Sequence, residues 1–382
     1  MRSSDFGAVF RADRNSGTNL EALAHFGTNP GNLMGRLFLP STLRAGAPLV
    51  VVLHGCTQTA VDYATGSGWL ELAERNGFAV LLPEQQRANN MNLCFNWFEP
   101  GDMQRDGGEP VSIKQMIDHT ISNNDIDSTR VFITGLSAGA AMAGVMLATY
   151  PEVFAGGGLI AGLPYGVAAS VPAALQRMRR AGGESASALG DMVQGANAHD
   201  QQWPRISVWH GDADRTVHPS NADATVSQWL SIHGLTDVDP VLDDVAGFPR
   251  RVWRDSDGVA LVESFEITGM GHGTPLDTKG ADGSGKAGPF MLDIGISSTV
   301  HLAAFWDLLD EVTASAVAQP AKPTVAPRAV ELRPSAARRV PPTTREESGV
   351  EKMINDALRA AGLMRLPYQV IGSGAPDPRP PT

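Results

Sequence analysis

Val131-Phe132-Ile133-Thr134-Gly135-Leu136-Ser137-Ala138-Gly139-Ala140-Ala141-Met142 is the stretch on which the fold turns. The apolar and β-branched residues Val131 to Thr134 spell a buried strand, and the small residues from Ala138 onward spell a helix that starts without a break. Between them lies the pattern G-x-S-x-G. A strand-to-helix turn this sharp forces Ser137 into a strained backbone conformation, and only glycines two positions to either side avoid clashing with it. In a chain with 41 glycines the five residues alone carry little weight. The strand before them and the helix after them give the pattern its meaning.

Outward from this turn, further buried strands are expected at residues 35–39, 48–53, 78–82, 157–161 and 206–209. The run Val50-Val51-Val52-Leu53 suits a parallel strand covered on both faces. Helices are expected at 68–75, 112–122, 138–148 and 299–312, and a hairpin joins 251–253 to 259–267 around Asp257-Gly258. This alternation predicts an α/β fold: a doubly wound, mostly parallel sheet with helices on both faces. Four regions follow. Residues 1–33 read as a polar, irregular N-terminal segment, and 34–315 as the catalytic domain with a lid-like insertion at 163–203. Residues 316–346 form a Pro/Ala/Arg-rich linker, and 347–382 a short helix closed by Gly362 with a proline-rich tail.

Composition narrows the function. With 42% apolar and 19% charged residues the chain can bury a sizeable core, and a net charge of −11 disfavours a nucleic-acid partner. No apolar run approaches the roughly 20 residues of a transmembrane segment. No secretory leader is visible, because Arg11, Asp13 and Arg14 sit where its apolar stretch should lie; a cytoplasmic chain and a trimmed leader both fit. There is no H-E-x-x-H, paired C-x-x-C or EF-hand loop, and no G-x-G-x-x-G after a strand, so neither a metal nor a cofactor is expected.

A serine hydroxyl needs a base, and the base needs a carboxylate to orient it. Chains built around such an elbow run in the order serine, acid, histidine. His272, in the loop Gly269-Met270-Gly271-His272-Gly273 after an expected strand, is the candidate base. His210 reads as a structural turn residue, and His233 and His301 as packing or surface residues on helices. For the acid, Asp212 and Asp214 compete in His210-Gly211-Asp212-Ala213-Asp214. Asp212 lies in the turn itself, where an Asx-type bond to the backbone accounts for it, so Asp214 is preferred. The oxyanion hole is expected from two backbone N–H groups, that of Ala138 and that of Cys56 in Leu53-His54-Gly55-Cys56-Thr57-Gln58; His54 itself reads as structural. The only two cysteines, Cys56 and Cys94, leave two states open: a disulfide, or two buried thiols in a reducing cytosol.

These segments together, with Phe26-Gly27-Thr28-Asn29-Pro30-Gly31-Asn32-Leu33, Cys94-Phe95-Asn96-Trp97-Phe98, Arg105-Asp106-Gly107-Gly108-Glu109-Pro110 and Gly271-His272-Gly273-Thr274-Pro275, resemble the poly(3-hydroxybutyrate) depolymerase-like esterases. That family also includes feruloyl and acetylxylan esterases. The resemblance covers about residues 26 to 310. It implies the α/β-hydrolase fold, a Ser137–Asp214–His272 triad, ester hydrolysis through an acyl-enzyme, a disulfide near the oxyanion loop, and an extracellular or periplasmic address. The expected substrates are hydroxyalkanoate oligomers or related small and aryl esters. A feruloyl- or acetylxylan-type esterase is the alternative within the class, and a catalytically dead binding protein the alternative outside it. The basic linker raises a further idea, contact with a polyester granule surface through the 347–361 helix; a solvated tether is the plainer reading.

Overall fold

The computed structural model describes residues 20–198, 202–280 and 283–309. The expected linker, C-terminal helix and tail lie outside the described residues, as does most of the N-terminal segment. Among the described residues ten strands form one sheet: β1 (Leu20–Ala22), β2 (Met34–Phe38), β3 (Ala47–Leu53), β4 (Ala79–Glu84), β5 (Ile126–Leu136), β6 (Gly156–Ile160), β7 (Arg205–Gly211), β8 (Val241–Val245), β9 (Phe248–Arg254) and β10 (Ala260–Ile267). Their order is β1-β2-β4-β3-β5-β6-β7-β10-β9-β8. The central strands β4, β3, β5, β6, β7 and β10 run parallel, and antiparallel pairs close both ends. A separate two-stranded piece pairs β11 (Thr274–Leu276) with β12 (Met291–Asp293).

Among the described residues eight α-helices accompany the sheet: α1 (Ala60–Gly66), α2 (Trp69–Asn76), α3 (Gly108–Asn124), α4 (Ala138–Thr149), α5 (Val171–Arg179), α6 (Ala186–Gln194), α7 (Ser220–His233) and α8 (Ser298–Phe305). Strand β3 is buried along its whole length, as its apolar run requires. Because side chains alternate across a strand, Leu49, Val51 and Leu53 join the core shared with Met116 of α3 and Met142 of α4. On the opposite face Trp306, just past α8, stacks on Phe132 at 5.0 Å and on Trp69 at 5.8 Å. Both layers close tightly over β6, whose Gly156-Gly157-Gly158 has no side chains. A Cβ on Gly157 would lie 2.4 Å from Leu147 of α4, and one on Gly158 2.6 Å from Leu302 of α8. The three glycines let a helix press on each face of the sheet.

The structure departs from the sequence reading in places. Residues 1–33 were read as irregular, yet Leu20–Ala22 adds an edge strand to β2. Its three residues carry too little pattern to announce a strand; pairing with Arg36, Leu37 and Phe38 makes it one. Helices α1 and α6 are not among the helices expected from the sequence: α1 is only seven residues long, and α6 buries just Leu189, Gly190 and Val193. The closing helix ends at Phe305 rather than near residue 312. Among the described residues no helix is long and apolar enough to cross a membrane.

Candidate active site

Strands β3, β5, β7 and β10 run parallel, so their C-terminal ends share one edge of the sheet, and every candidate residue follows one of them. Ser137 stands between β5 and α4 with φ 58° and ψ −118°, a conformation that L-residues rarely hold. Its neighbours explain how it is held. A Cβ on Gly135 would lie 2.4 Å from the Gly139 carbonyl carbon, and one on Gly139 would lie 2.4 Å from Leu53 O and 2.5 Å from His54 O. Any side chain at either position would drive the turn apart or push it off the end of β3. The Ser137 N–H donates to Ile160 O at 2.9 Å, which ties the turn to β6. The serine is 8% exposed, and its hydroxyl forms no hydrogen bond with the described residues.

The candidate acid and base meet directly. His272 Nδ1 lies 2.7 Å from Asp214 Oδ2. A carboxylate only accepts, so the imidazole donates through Nδ1, and the neutral ring in that tautomer has its lone pair on Nε2. Asp214 Oδ1 accepts from the N–H groups of Thr216 and Val217, and His210 Nε2 approaches Oδ2 at 3.3 Å while donating to Val217 O at 2.8 Å. Burial alone would raise the Asp214 carboxyl. The charge of His272 and the hydrogen bonds from His210 and His272 outweigh it and hold the group well below the usual carboxylate range.

The loop that carries His272 is tied to the loop that carries Asp214. Gly269 N–H donates to Asp212 Oδ1 at 2.6 Å, Ala213 N–H to Met270 O at 3.1 Å and Asp212 N–H to Ile267 O at 3.2 Å. The two aspartates thus divide the work, though not as the turn argument has it. Asp214 makes the Asx-type bonds along its own turn, and Asp212 reaches across to the histidine loop. His210, read as a turn residue, is buried beside the acid; its spacing of four residues before Asp214 is the signal that could have revealed this.

Of the candidate oxyanion donors, Ala138 follows the serine directly, and Cys56 lies in the loop after β3, whose first residue His54 meets the turn at Gly139. Neither the Ala138 N–H nor the Cys56 N–H has an acceptor among the described residues. Loop 54–58 is held from outside: Cys56 is joined to Cys94 by a disulfide, and Thr57 N–H donates to Asn92 O at 2.7 Å. The Cys94 segment is fixed in turn by Glu109, a buried acid that accepts from Asn96 N–H and from Gln85 Nε2. Burial, reinforced by the nearby Asp102 charge, pushes the Glu109 carboxyl up to about 8. Neither Gln85 nor Glu109 could be singled out in the sequence, because nothing there places them beside loop 54–58.

Strand order, elbow and the strand ends that follow it define an α/β-hydrolase of the esterase type. The chain belongs to the Esterase PHB depolymerase family, whose model matches residues 34–246. It is 47% identical over 292 residues to the poly(3-hydroxyalkanoate) depolymerase C of Paucimonas lemoignei, covering 76% of this chain and 70% of that protein. It is 32% identical to the acetylxylan esterase A of Emericella nidulans, covering 66% of this chain and 84% of the relative. Among solved structures, the acetyl xylan esterase from Aspergillus awamori superposes with a TM-score of 0.61 at 27% identity, over 66% of this chain and 93% of that one. The protein is a serine-type carboxylic-ester hydrolase.

Proposed function

We propose that Ser137, His272 and Asp214 are the catalytic triad of this esterase, with the N–H groups of Cys56 and Ala138 as its oxyanion hole. The observation that carries the reading is the 2.7 Å bond between His272 Nδ1 and Asp214 Oδ2, at the sheet edge where Ser137 is raised on its turn. With Nδ1 occupied by the acid, His272 Nε2 takes the Ser137 proton while Oγ attacks the ester carbonyl carbon. The carbonyl oxygen becomes an anion facing the two amides. The tetrahedral adduct collapses, the C–O bond to the alcohol breaks, and the alcohol leaves with the proton from Nε2. Water, deprotonated by the same nitrogen, then releases the acid and restores Ser137.

Residues 34–315 act as one catalytic unit in this reading, with the 163–203 insertion supplying pocket walls. The substrates are soluble hydroxyalkanoate oligomers, such as those of 3-hydroxybutyrate, in keeping with the 47% identity to a poly(3-hydroxyalkanoate) depolymerase. Acetylated or feruloylated saccharides are the second reading, favoured by the acetyl xylan esterase superposition. The Cys56–Cys94 disulfide supports an extracellular or periplasmic address, because such bonds persist in oxidising compartments. Contact of the tail with a granule surface is left as the lesser idea. A fluorophosphonate adduct should map to the peptide carrying Ser137, and Ser137→Ala should lose both adduct and turnover. A panel of 3-hydroxybutyrate trimers, acetylated xylo-oligosaccharides and methyl ferulate separates the substrate readings. Undiminished ester cleavage by Ser137→Ala would end the proposal.

A further inference from the structure

His210 is the penultimate residue of β7, which pairs with β6 on one side and β10 on the other, and its ring is buried. Nε2 lies 2.8 Å from Val217 O and 3.3 Å from Asp214 Oδ2. Carbonyls and carboxylates only accept, so Nε2 carries a proton. Nδ1 is buried as well, and it has no hydrogen-bond partner among the described residues. One nitrogen of the ring thus serves two acceptors while the other serves none. A buried polar atom without a partner costs stability, so packing alone does not account for an imidazole here.

The acid turn supplies the further requirement. Asp214 offers Oδ2 to His272 and turns Oδ1 to the N–H groups of Thr216 and Val217, two bonds that lie inside the turn. His210 ties this arrangement to the sheet. Val217 donates its N–H to Oδ1 and accepts the His210 proton on its carbonyl, and the same Nε2 lies beside Oδ2. We propose that His210 is a positioning residue of the triad: its Nε2–H, held on Val217 O and set against Asp214 Oδ2, keeps the carboxylate turned so that Oδ2 receives the His272 N–H. This rests on the reading of Asp214 and His272 as acid and base.

The anchor stands between the other two members of the triad. β6 takes the Ser137 N–H on Ile160 O, and β10 leads into the loop of His272. β7 runs between these strands, with Trp209 opposite Ile160 and His210 opposite Glu266. The chain from His210 to the acid has little slack: Asp214 N–H donates to Gly211 O at 3.2 Å, and a Cβ on Gly211 would lie 2.1 Å from Met270 O. On the far side of the turn His210 secures Val217, whose N–H holds Oδ1. A carboxylate referred to His210 is therefore kept in register with both the nucleophile and the base.

The test uses the full chain with His210→Leu, which removes the donor, and His210→Gln, whose amide nitrogen can stand near the Nε2 position. A catalytic group displaced by about 1 Å loses on the order of 100-fold in rate. His210→Leu is expected to lower kcat about 10- to 100-fold with KM within about twofold. The far-downfield proton resonance of the His272–Asp214 bond should move upfield in the same variant. His210→Gln should recover part of the rate and return the resonance toward its parent position. Unchanged kcat in His210→Leu, a loss of kcat without movement of the resonance, or an equal loss in His210→Gln overturns the inference. Should neither variant fold, 15N spectra of the unaltered protein decide: a proton on Nε2 of His210 supports the inference, and an Nδ1–H tautomer with bare Nε2 overturns it. Undiminished turnover in Asp214→Asn would sink the triad reading and this inference together. Loss of turnover there, with His210→Leu unimpaired, overturns this inference alone.

Discussion

The Ser137 turn and the 54–58 loop lie against each other, with Gly139 packed on the backbone of Leu53 and His54, and they are held by opposite means. The turn is enforced by what is missing from it. Glycines at 135 and 139 leave room for a backbone approach that any Cβ would block, so the strained φ of Ser137 is a product of five adjacent residues. The loop is enforced by what reaches it from elsewhere: a disulfide from Cys94, a backbone bond from Thr57 to Asn92, and an imidazole braced by Gln85. Steric exclusion at the turn involves backbone alone, that of Gly139 and Ala140 at position 135 and that of Leu53 and His54 at position 139. Restraint of the loop depends on residues about 30 to 55 positions further along. The turn should therefore fail through local insertion of bulk, and the loop through loss of distant supports.

The difference can be probed in descending order of effect. Ser137→Ala leaves the turn intact and should lower kcat on the order of 10⁶-fold, with the thermal melt unchanged. Asp214→Asn should reduce kcat about 10⁴-fold by permitting the wrong His272 tautomer. The same variant has a stability signature. Because the Asp214 carboxyl is depressed in the folded state, its ionised form contributes stability that is present above the unfolded value near pH 3.9 and is lost as the pH falls further. Asp214→Asn should thus be less stable than the parent at pH 7, and the gap in urea midpoint should close in acid; a gap independent of pH would show that the carboxylate is not the stabilising form.

Smaller effects separate the two regions themselves. Replacing both Cys56 and Cys94 by serine removes a cross-link spanning 38 residues and should cost about 4 kcal/mol on the chain-entropy model. Its kinetic cost should fall on kcat more than on KM if the loop carries an oxyanion donor. Gly139→Ala should cost about 1–3 kcal/mol, because its Cβ meets backbone that cannot rotate away. Gly144→Ala, on the same helix but with open space around the new Cβ, should be neutral or stabilising by about 0.5–1 kcal/mol. Equal urea midpoints for the two alanine variants would break the steric account of the turn.

The sheet was legible because its central strands are continuous apolar runs: Ala47–Leu53 is buried throughout, and few other placements suit such a run. Edge elements were not. Leu20–Ala22 has no hydrophobic signature, and β8 (Val241–Val245) is mostly exposed, so neither differs from loop until it pairs. The acid was chosen for a reason that the structure reverses. Asx-type bonding, used to set Asp212 aside, is made by Asp214, whose two oxygens serve its own turn and the histidine at once. The roles of His210 and His54 are missed in the sequence for a related cause. A buried histidine takes its role from the atoms around its ring nitrogens, and those come from Val217 and Asp214, both at Nε2, in one case and from Gln85 and Gly55, one at each nitrogen, in the other.

What the sequence determined by itself was everything set by neighbours in the chain. The apolar runs and the glycines around Ser137 act over a few bonds, where sterics and hydrophobic period leave few choices. Only the tertiary structure decided which amide is free, which tautomer each imidazole holds, and whether the two cysteines meet. Those depend on donors and acceptors brought within about 3 Å from separate strands, and hydrogen bonding at that range has no echo in linear order.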